Sequence, residues 1–216
     1  CAEEVADKLK IPNHKRVYPL ASSETNHMIA TLQRPNLVEP YGMKLAAEFI
    51  LDICQNNNIK PNLYDLYSCF PVAVSMFSKS LNLKNSKNLT ITGGMPFAGG
   101  PLNSYVIHST VKMIENIRNK KKSVGVVTGV SGMMTKQSYA LWAKEPITEF
   151  MHKDFTSEVQ KKEQPIELSS LQEGVGNIIG YTTLHRTNPA KAIIYLNCED
   201  GKRKLNTSTD KSIIKS

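Results

Sequence analysis

Apolar residues recur at helical spacing in several stretches of the first part of the chain. Between residues 36 and 54 they return mostly every fourth residue, which is typical of an amphipathic helix. The same pattern predicts helices over residues 3–9 and 103–118. Pro71 is tolerated in a first helical turn, so we expect a further helix to begin there.

Short apolar runs lie between these helices and predict strands at residues 17–20, 63–67, 89–92, 124–128 and 138–142. Strands that alternate with helices are typical of a layered α/β domain, in which helices cover a mixed sheet. We therefore expect an α/β domain over residues 1–148.

The last part of the chain has a different pattern. Residues 178–185, 190–198 and 203–206 are rich in strand-forming side chains, no long helix separates them, and Asp200-Gly201 is a hairpin signal. This pattern predicts a small all-β domain over residues 149–216. A charged linker over residues 151–164 is expected to join it to the first domain.

The charge of the chain is positive and mostly dispersed. Lys and Arg exceed Asp and Glu by 27 to 19, for a formal net charge of +8, and the one dense run is Lys120-Lys121-Lys122. Cations complement a helix C-terminus, so a solvated helix end explains this run. Contact with a polyanion, either coenzyme A or nucleic acid, is the alternative. The β-rich tail offers few aromatic stacking platforms, so nucleic acid is not expected as its partner.

The cysteines and the apolar runs limit the compartment. Four cysteines without CxxC spacing predict no metal site and fit a reducing compartment. Apolar runs are too short to cross a bilayer, so we expect a cytoplasmic protein that does not enter a membrane. The chain starts in the middle of a helical pattern without an initiator Met. We therefore expect either processing or a missing upstream segment.

Two segments between a strand and a helix are candidate sites. In the first, Tyr67-Ser68-Cys69, a helix N-terminus would favour a reactive Cys69 thiolate. The alternative is that Ser68 caps the helix and Cys69 packs as a small apolar residue. The second runs from Gly93 to Pro101, where glycines permit either a tight structural turn or the close approach of a ligand. His108 lies at the edge of the next helix's apolar face, where a structural hydrogen bond and a catalytic role both remain open.

Taken in order, the motifs at residues 65–70, 90–101 and 126–132 resemble the C-terminal half of the thiolase superfamily. The likeness is greatest to proteins near the sterol-carrier-protein thiolases, and it covers residues 1–145. The tail resembles an added C-terminal domain that is similar to an OB-fold. The resemblance implies an acyltransferase-class protein of lipid metabolism, related to acetyl-CoA acetyltransferase, with coenzyme A or acyl-CoA as ligand. It also implies a missing N-terminal half or a partner subunit.

The resemblance also implies that standard thiolase activity is lost. The family's oxyanion-site Asn or His falls on Tyr67, the His of its Gly-His-Pro motif falls on Gly100, and its second cysteine falls near Val130. Losing an oxyanion donor alone costs roughly 100- to 1,000-fold in turnover. Catalytic candidates that remain are Tyr67, Ser68 and His108. The expected ligand-binding residues are Gly93, Gly94, Gly99, Gly100, Pro101 and Asn103.

Two other functions stay open. The β-rich tail suits a non-catalytic interaction module that binds a protein partner or nucleic acid. A divergent hydrolase or transferase that uses Cys69 is the other possibility.

Overall fold

The computed structural model describes residues 1–83, 88–120 and 122–214, in two units of mutually contacting residues. Unit 1 is Cys1–Met28 with Val38–Lys162, and unit 2 is Ile29–Leu37 with Glu163–Ser216. The predicted domain boundary after residue 148 stays a prediction, and these units divide the chain at other positions.

Unit 1 is built on a five-stranded mixed sheet. Its elements in chain order are α1 (Glu3–Lys8), β1 (Tyr18–Asn26), α2 (Tyr41–Asn56), β2 (Leu63–Asp65), α3 (Pro71–Ser80), α4 (Met95–Ala98), α5 (Tyr105–Asn119), β3 (Val124–Ser131), β4 (Met133–Ala143), β5 (Met151–Asp154) and α6 (Thr156–Lys162). The strand order is β2-β3-β4-β1-β5. The two outer pairs, β2–β3 and β1–β5, are parallel, and the two inner pairs are antiparallel. The mixed α/β architecture expected from the sequence is confirmed.

Helices cover both faces of this sheet. One face packs against α2, where the main core contains Ile50, Tyr139 and Leu141, all fully buried. The other face packs against α5 through a smaller cluster around Met113 and Ile117. The longest helix, α2, has 16 residues. Within the described ranges no helix combines the length and the apolar character that crossing a membrane requires.

Three predicted elements of unit 1 need correction. Strand β1 runs over nine residues rather than the predicted four. The prediction was too short because several buried positions of the strand hold small or polar side chains such as Ser23 and Thr25, which a hydrophobic pattern does not detect. Residues 89–92 form one isolated bridge, between Asp65 and Thr90, and Gly93 then turns the chain away with a φ of 88°. Helix α2 begins at residue 41 rather than 36, directly after Pro40.

The predicted linker over residues 151–164 is also corrected. Residues 151–154 form β5, which adds to the sheet parallel to β1, and residues 156–162 form α6. The four residues of β5 are exposed, and the buried apolar residues of this region are Phe155, between the two elements, and Val159 of α6, which belong to the main core. Two buried apolar residues in a charged stretch give too weak a pattern for a sequence-based assignment.

Unit 2 contains an antiparallel sheet of three strands in the order β6-β7-β8, with β6 at Gly176–Leu184, β7 at Lys191–Cys198 and β8 at Arg203–Ser208. A short helix, α7 (Lys211–Ile214), follows. The three predicted strands are therefore present in a sheet separate from the first. The OB-like character of this region stays a prediction.

A buried guanidinium joins the two chain segments of unit 2. Arg203 is 5% exposed and donates hydrogen bonds to the backbone carbonyls of Leu32, Arg34 and Pro35 and to the side chain of Asn197. Burial lowers its pKa. A planar fork of donors suits several carbonyls at once, which an ammonium does not match. Arg203 thus fixes residues 32–35 to the start of β8.

We predict that Gly125→Ala destabilises the chain by roughly 2 kcal/mol, because extra volume in a packed core forces shifts. A Cβ on Gly125 would overlap the sulfur of Met113 and lie 2.8 Å from its terminal methyl. Urea unfolding measures the effect. Gly100→Ala is the matched control, since its nearest neighbour would be an ordinary 3.4 Å away. The packing explanation fails if adding Met113→Ala does not reduce the effect of Gly125→Ala.

Candidate functional site

The carboxylate of Asp65 organises the region where β2 ends. Asp65 is fully buried, and a buried charge is tolerated only when it is well bonded. One carboxylate oxygen accepts hydrogen bonds from the hydroxyls of Tyr105 at 3.0 Å and Ser109 at 2.7 Å. The other accepts from the backbone N–H and the hydroxyl of Thr92, at 2.9 and 2.8 Å. Four donors therefore tie β2 to the turn before α4 and to α5.

The network extends from Tyr105 to the strand–helix turn that contains Tyr67. The Tyr105 hydroxyl lies 3.0 Å from the Thr92 hydroxyl and 3.3 Å from that of Ser68. Burial raises the pKa of Tyr105, which keeps its hydroxyl a donor to Asp65. The Tyr67 ring stacks edge-on against Tyr105 with centroids 5.5 Å apart, and burial raises the pKa of Tyr67 too.

The glycine turn before α4 passes close to this network. Gly94 has a φ of 85°, and a Cβ there would lie 3.2 Å from the Ser68 hydroxyl oxygen. The next residue, Met95, donates its backbone N–H to that oxygen at 2.9 Å. A side chain on Gly94 would be strained and would crowd Ser68. The turn is therefore built to lie against residues 67 and 68.

A cavity of about 380 Å³ opens beside the network. Its walls come from the end of β1, Tyr67 after β2, Asn103 before α5 and the hairpin between β3 and β4, residues 129–132. Gly129 leaves it open, since a Cβ there would lie 2.8 Å from the hydroxyl of Ser138. Ligand cavities are commonly of this size, with a few placed polar groups.

The charged groups of the cavity are two carboxylates and one lysine. Glu24 and Asp154 are register partners on β1 and β5, and Lys136 lies on β4. Asp154 accepts hydrogen bonds from the hydroxyl and the backbone N–H of Thr156, which lower its pKa and keep it ionised at neutral pH. Among the described residues lining this cavity there is neither a cysteine nor a histidine. The described lining of the site is equipped to bind polar groups but contains neither a thiol nor an imidazole.

The described part of the chain contains no cluster of side chains suited to bind a metal ion. Residues 1–83, 88–120 and 122–214 contain no group of three His, Cys, Asp or Glu side chains that are placed to hold an ion.

The structure brings only part of the predicted site residues together. Tyr67 and Asn103 line the cavity. Ser68 lies behind it in the Tyr105 network, and His108 is exposed on α5 and does not line the cavity. The remaining predicted ligand residues shape the turn that leads to Asn103 without lining the cavity themselves: Gly93, Gly94, Gly99, Gly100 and Pro101. Whether these residues bind a ligand stays a prediction.

Sequence reasoning missed Tyr105 and Ser109, the two hydroxyls on α5 that bind Asp65. A signal was present, because residues four apart lie on one helix face and both are polar within an otherwise apolar stripe. It missed Glu24 and Asp154 for another reason. They meet only through the pairing of β1 with β5, which no local pattern reveals.

Comparison with known proteins supports the fold. No family model matches the chain, and no curated protein matches it. Among solved structures, it is similar to a monomeric SCP2-thiolase-like protein of type 1 from Mycobacterium smegmatis, with 26% identity and a TM-score of 0.84. The chain has a thiolase-like fold. The match covers 98% of this chain and 48% of that protein, so the chain spans about half the length of its relative.

Two of the three positions to which the resemblance assigns thiolase catalytic groups lie at the cavity of this thiolase-like chain. Tyr67 and Val130 line it, whereas Gly100 does not. A Cβ on Gly100 would meet Tyr105 and Met95 at 3.4 and 3.5 Å, and its φ is not positive. Neither space nor backbone conformation therefore excludes a side chain at position 100.

Of the two interpretations of Cys69, the structure disfavours the reactive thiolate with a lowered pKa. Burial raises the pKa of this thiol and outweighs the two backbone hydrogen bonds that lower it. Cys69 also does not line the cavity. The thiolate is the reactive form, so this environment makes Cys69 a poorer nucleophile at neutral pH.

We predict that Asp65→Asn destabilises the thiolase-like unit by roughly 3 kcal/mol, because the new NH₂ group faces hydrogen-bond donors. Urea denaturation gives the free energy of unfolding. Asp52→Asn, on the exposed side of α2, is the matched control and is expected to stay within about 0.5 kcal/mol of the wild type. Equal effects of the two substitutions would contradict the role of Asp65.

We predict that iodoacetamide labels Cys69 more slowly than glutathione at neutral pH and that its labelling rises only at higher pH. A thiol whose pKa is one unit higher has about tenfold less thiolate at neutral pH. Peptide mass mapping distinguishes Cys69 from the other three thiols. Labelling faster than glutathione would revive Cys69 as a nucleophile.

Proposed function

We propose that this chain is the C-terminal portion of a thiolase-like acyl-CoA-binding protein of the acyltransferase class, without the standard thiolase reaction. The observation that carries this proposal is the cavity beside Tyr67 and Asn103. It lies where a thiolase-like fold presents strand ends and glycine turns, and its described lining holds no cysteine or histidine. Binding groups are therefore present without the thiol and imidazole groups that the family uses for acyl transfer.

In this proposal, the thioester end of the ligand lies in the cavity. Asn103 offers an amide, Tyr67 offers a ring face and a hydroxyl, and the hairpin at residues 129–132 offers backbone groups. The glycine turn acts indirectly, since Gly93 to Pro101 set the path that brings Asn103 to the cavity. Ser68 and His108 would then have supporting roles, Ser68 through Tyr105 and His108 away from the ligand.

An N-terminal thiolase-like half is the proposed partner. The relative of known structure is monomeric and about twice as long, so its single chain supplies what lies beyond this match. Helix α5 carries Ile107 and Val111, which are 65% and 51% exposed. Apolar side chains at four-residue spacing on a helix surface favour a packed neighbour. The missing half would cover α5 and complete the cavity.

The unpaired state of all four cysteines supports a reducing compartment such as the cytoplasm.

The tail supports a second candidate function, an interaction module. Two large apolar side chains of β6, Ile178 and Tyr181, are 62% and 70% exposed. Exposed apolar side chains close together on a surface often mark a site of protein interaction. We keep the OB-like assignment of this tail as part of the proposal, with a protein rather than nucleic acid as partner.

We predict that acetyl-CoA binds residues 1–216 at least tenfold more weakly than it binds a polypeptide that also carries the N-terminal half. Isothermal titration calorimetry measures both. In the longer polypeptide, Asn103→Leu is expected to weaken binding about tenfold through a lost hydrogen bond. Asn56→Leu, at the exposed end of α2 and away from the cavity, is the matched control.

The same longer polypeptide is expected to thiolyse acetoacetyl-CoA no faster than buffer. Turnover above that background would contradict the loss of thiolase activity. Tight binding by residues 1–216 alone would contradict the need for the missing half, and equal effects of the two Asn substitutions would contradict the proposed cavity.

A further inference from the structure

A second cavity, of about 610 Å³, lies in unit 1 where β3 begins and β4 ends. Three chain segments form it: the turn after α2 (residues 57–60), the entry to β3 (residues 122–124) and the segment after β4 (residues 143–148). The candidate acyl-CoA cavity is lined by the opposite ends of β3 and β4. The two cavities are therefore separate, and the second has no role in the proposed function.

The charge of this second cavity is one-sided. Lys60, Lys122 and Lys144 line it, each from a different segment, and Glu145 is the only acidic residue of its described lining. None of the three lysines forms an ion pair with any residue that the structure describes. Lys144 donates to the backbone carbonyl of His14, which holds its ammonium in place. Two exposed lysines thus lie beside an anchored one, and the single carboxylate of the described lining, Glu145, forms no described ion pair with them.

Lys122 adopts a backbone conformation that glycine adopts more favourably. Lys122 has a φ of 58°, in the left-handed region that is unfavourable for residues with a Cβ. Asn58, on the facing turn, has a φ of 52°, but asparagine tolerates this conformation at a helix C-terminus. The conformation at position 122 therefore does not account for a lysine there. Unfavourable backbone states concentrate at ligand sites, which supports a role for the Lys122 ammonium, although Lys10 and Leu102 have the same conformation outside this cavity.

An apolar wall forms part of the remaining lining, which also contains the polar residues Asn57, Asn58, Ser123 and Thr148. Ile59, Val124, Pro146 and Ile147 line the cavity, and Ile59, Val124 and Ile147 pack partly against the main core. A ligand that fits both parts carries an anionic group for the lysines and an apolar body for this wall. Lysine binds phosphate as a point charge, and the volume is in the range of small-molecule sites.

We propose that this second cavity binds a small phosphate monoester with an apolar body, held by Lys60, Lys122 and Lys144. The run Lys120-Lys121-Lys122 was open to two interpretations from the sequence. Through Lys122 it contributes to a ligand site in this proposal. The volume favours a small molecule over nucleic acid, which needs an open groove along its backbone.

The test is calorimetric titration of the full chain with naphthyl phosphate, with naphthol and inorganic phosphate as partial ligands. Naphthyl phosphate is expected to bind most tightly. Lys60→Met and Lys122→Gly are each expected to weaken it about tenfold, the effect of one lost charged hydrogen bond. Glycine adopts the left-handed conformation at position 122 more readily than lysine, so the melting temperature of Lys122→Gly is not expected to fall. Unfolding would then not explain weaker binding of naphthyl phosphate by this variant.

Lys44→Met removes an equal charge from an exposed site on α2 and is expected to leave the affinity unchanged. Equal weakening by Lys44→Met would overturn the proposal in favour of a diffuse positive surface. Naphthol that binds as tightly as its phosphate would overturn the role of the lysines. Competition by an oligothymidine at lower concentration than naphthyl phosphate would instead assign the cavity to nucleic acid.

Discussion

The arrangement of the candidate site depends on one buried carboxylate. Asp65 is removed from water, and a charge so placed costs several kcal/mol unless donors surround it. Its four hydrogen bonds come from Thr92, Tyr105 and Ser109, which follow Asp65 by 27, 40 and 44 positions. Satisfying the carboxylate therefore fixes the end of β2, the glycine turn and the start of α5 together. Tyr67 and Asn103 reach the cavity as a result of that constraint.

Much of unit 1 was predictable because its helices are strongly periodic. The patterns identified α2 and α5 within a few residues, and Pro71 marked the start of α3 correctly. Strand β1 was mostly missed, because its buried positions hold Ser23 and Thr25 rather than large apolar residues. Their hydroxyls are bonded to backbone carbonyls, so burial costs little although the residues are polar. A pattern based on hydrophobicity does not detect such a strand.

The site was predictable only as far as its motifs are local. Tyr67 was identified from a strand–helix turn, and Asn103 from the glycine segment that precedes it. His108 was included because it lies beside the apolar positions Ile107 and Val111, but this side of α5 is exposed, and the helix is buried through Tyr105, Ser109, Met113 and Ile117. Glu24 and Asp154 required the register of β1 with β5. The loss of catalytic groups, by contrast, is predicted from residue identities at positions that the family resemblance assigns, and it stays a prediction.

Arg203 has a consequence for how the chain comes together in time. Its guanidinium bonds to the carbonyl of Leu32 across 171 positions, so unit 2 is assembled from an early segment and a late one. During synthesis from the N-terminus, residues 29–37 emerge long before the strand that fixes them. Their carbonyls stay hydrated until β8 is available, and closing so long a loop has an entropic cost. The second unit is thus the last to be completed, although its first segment is synthesised before α2. Because unit 2 contains two separate segments of the chain, a single cut of the backbone does not release it.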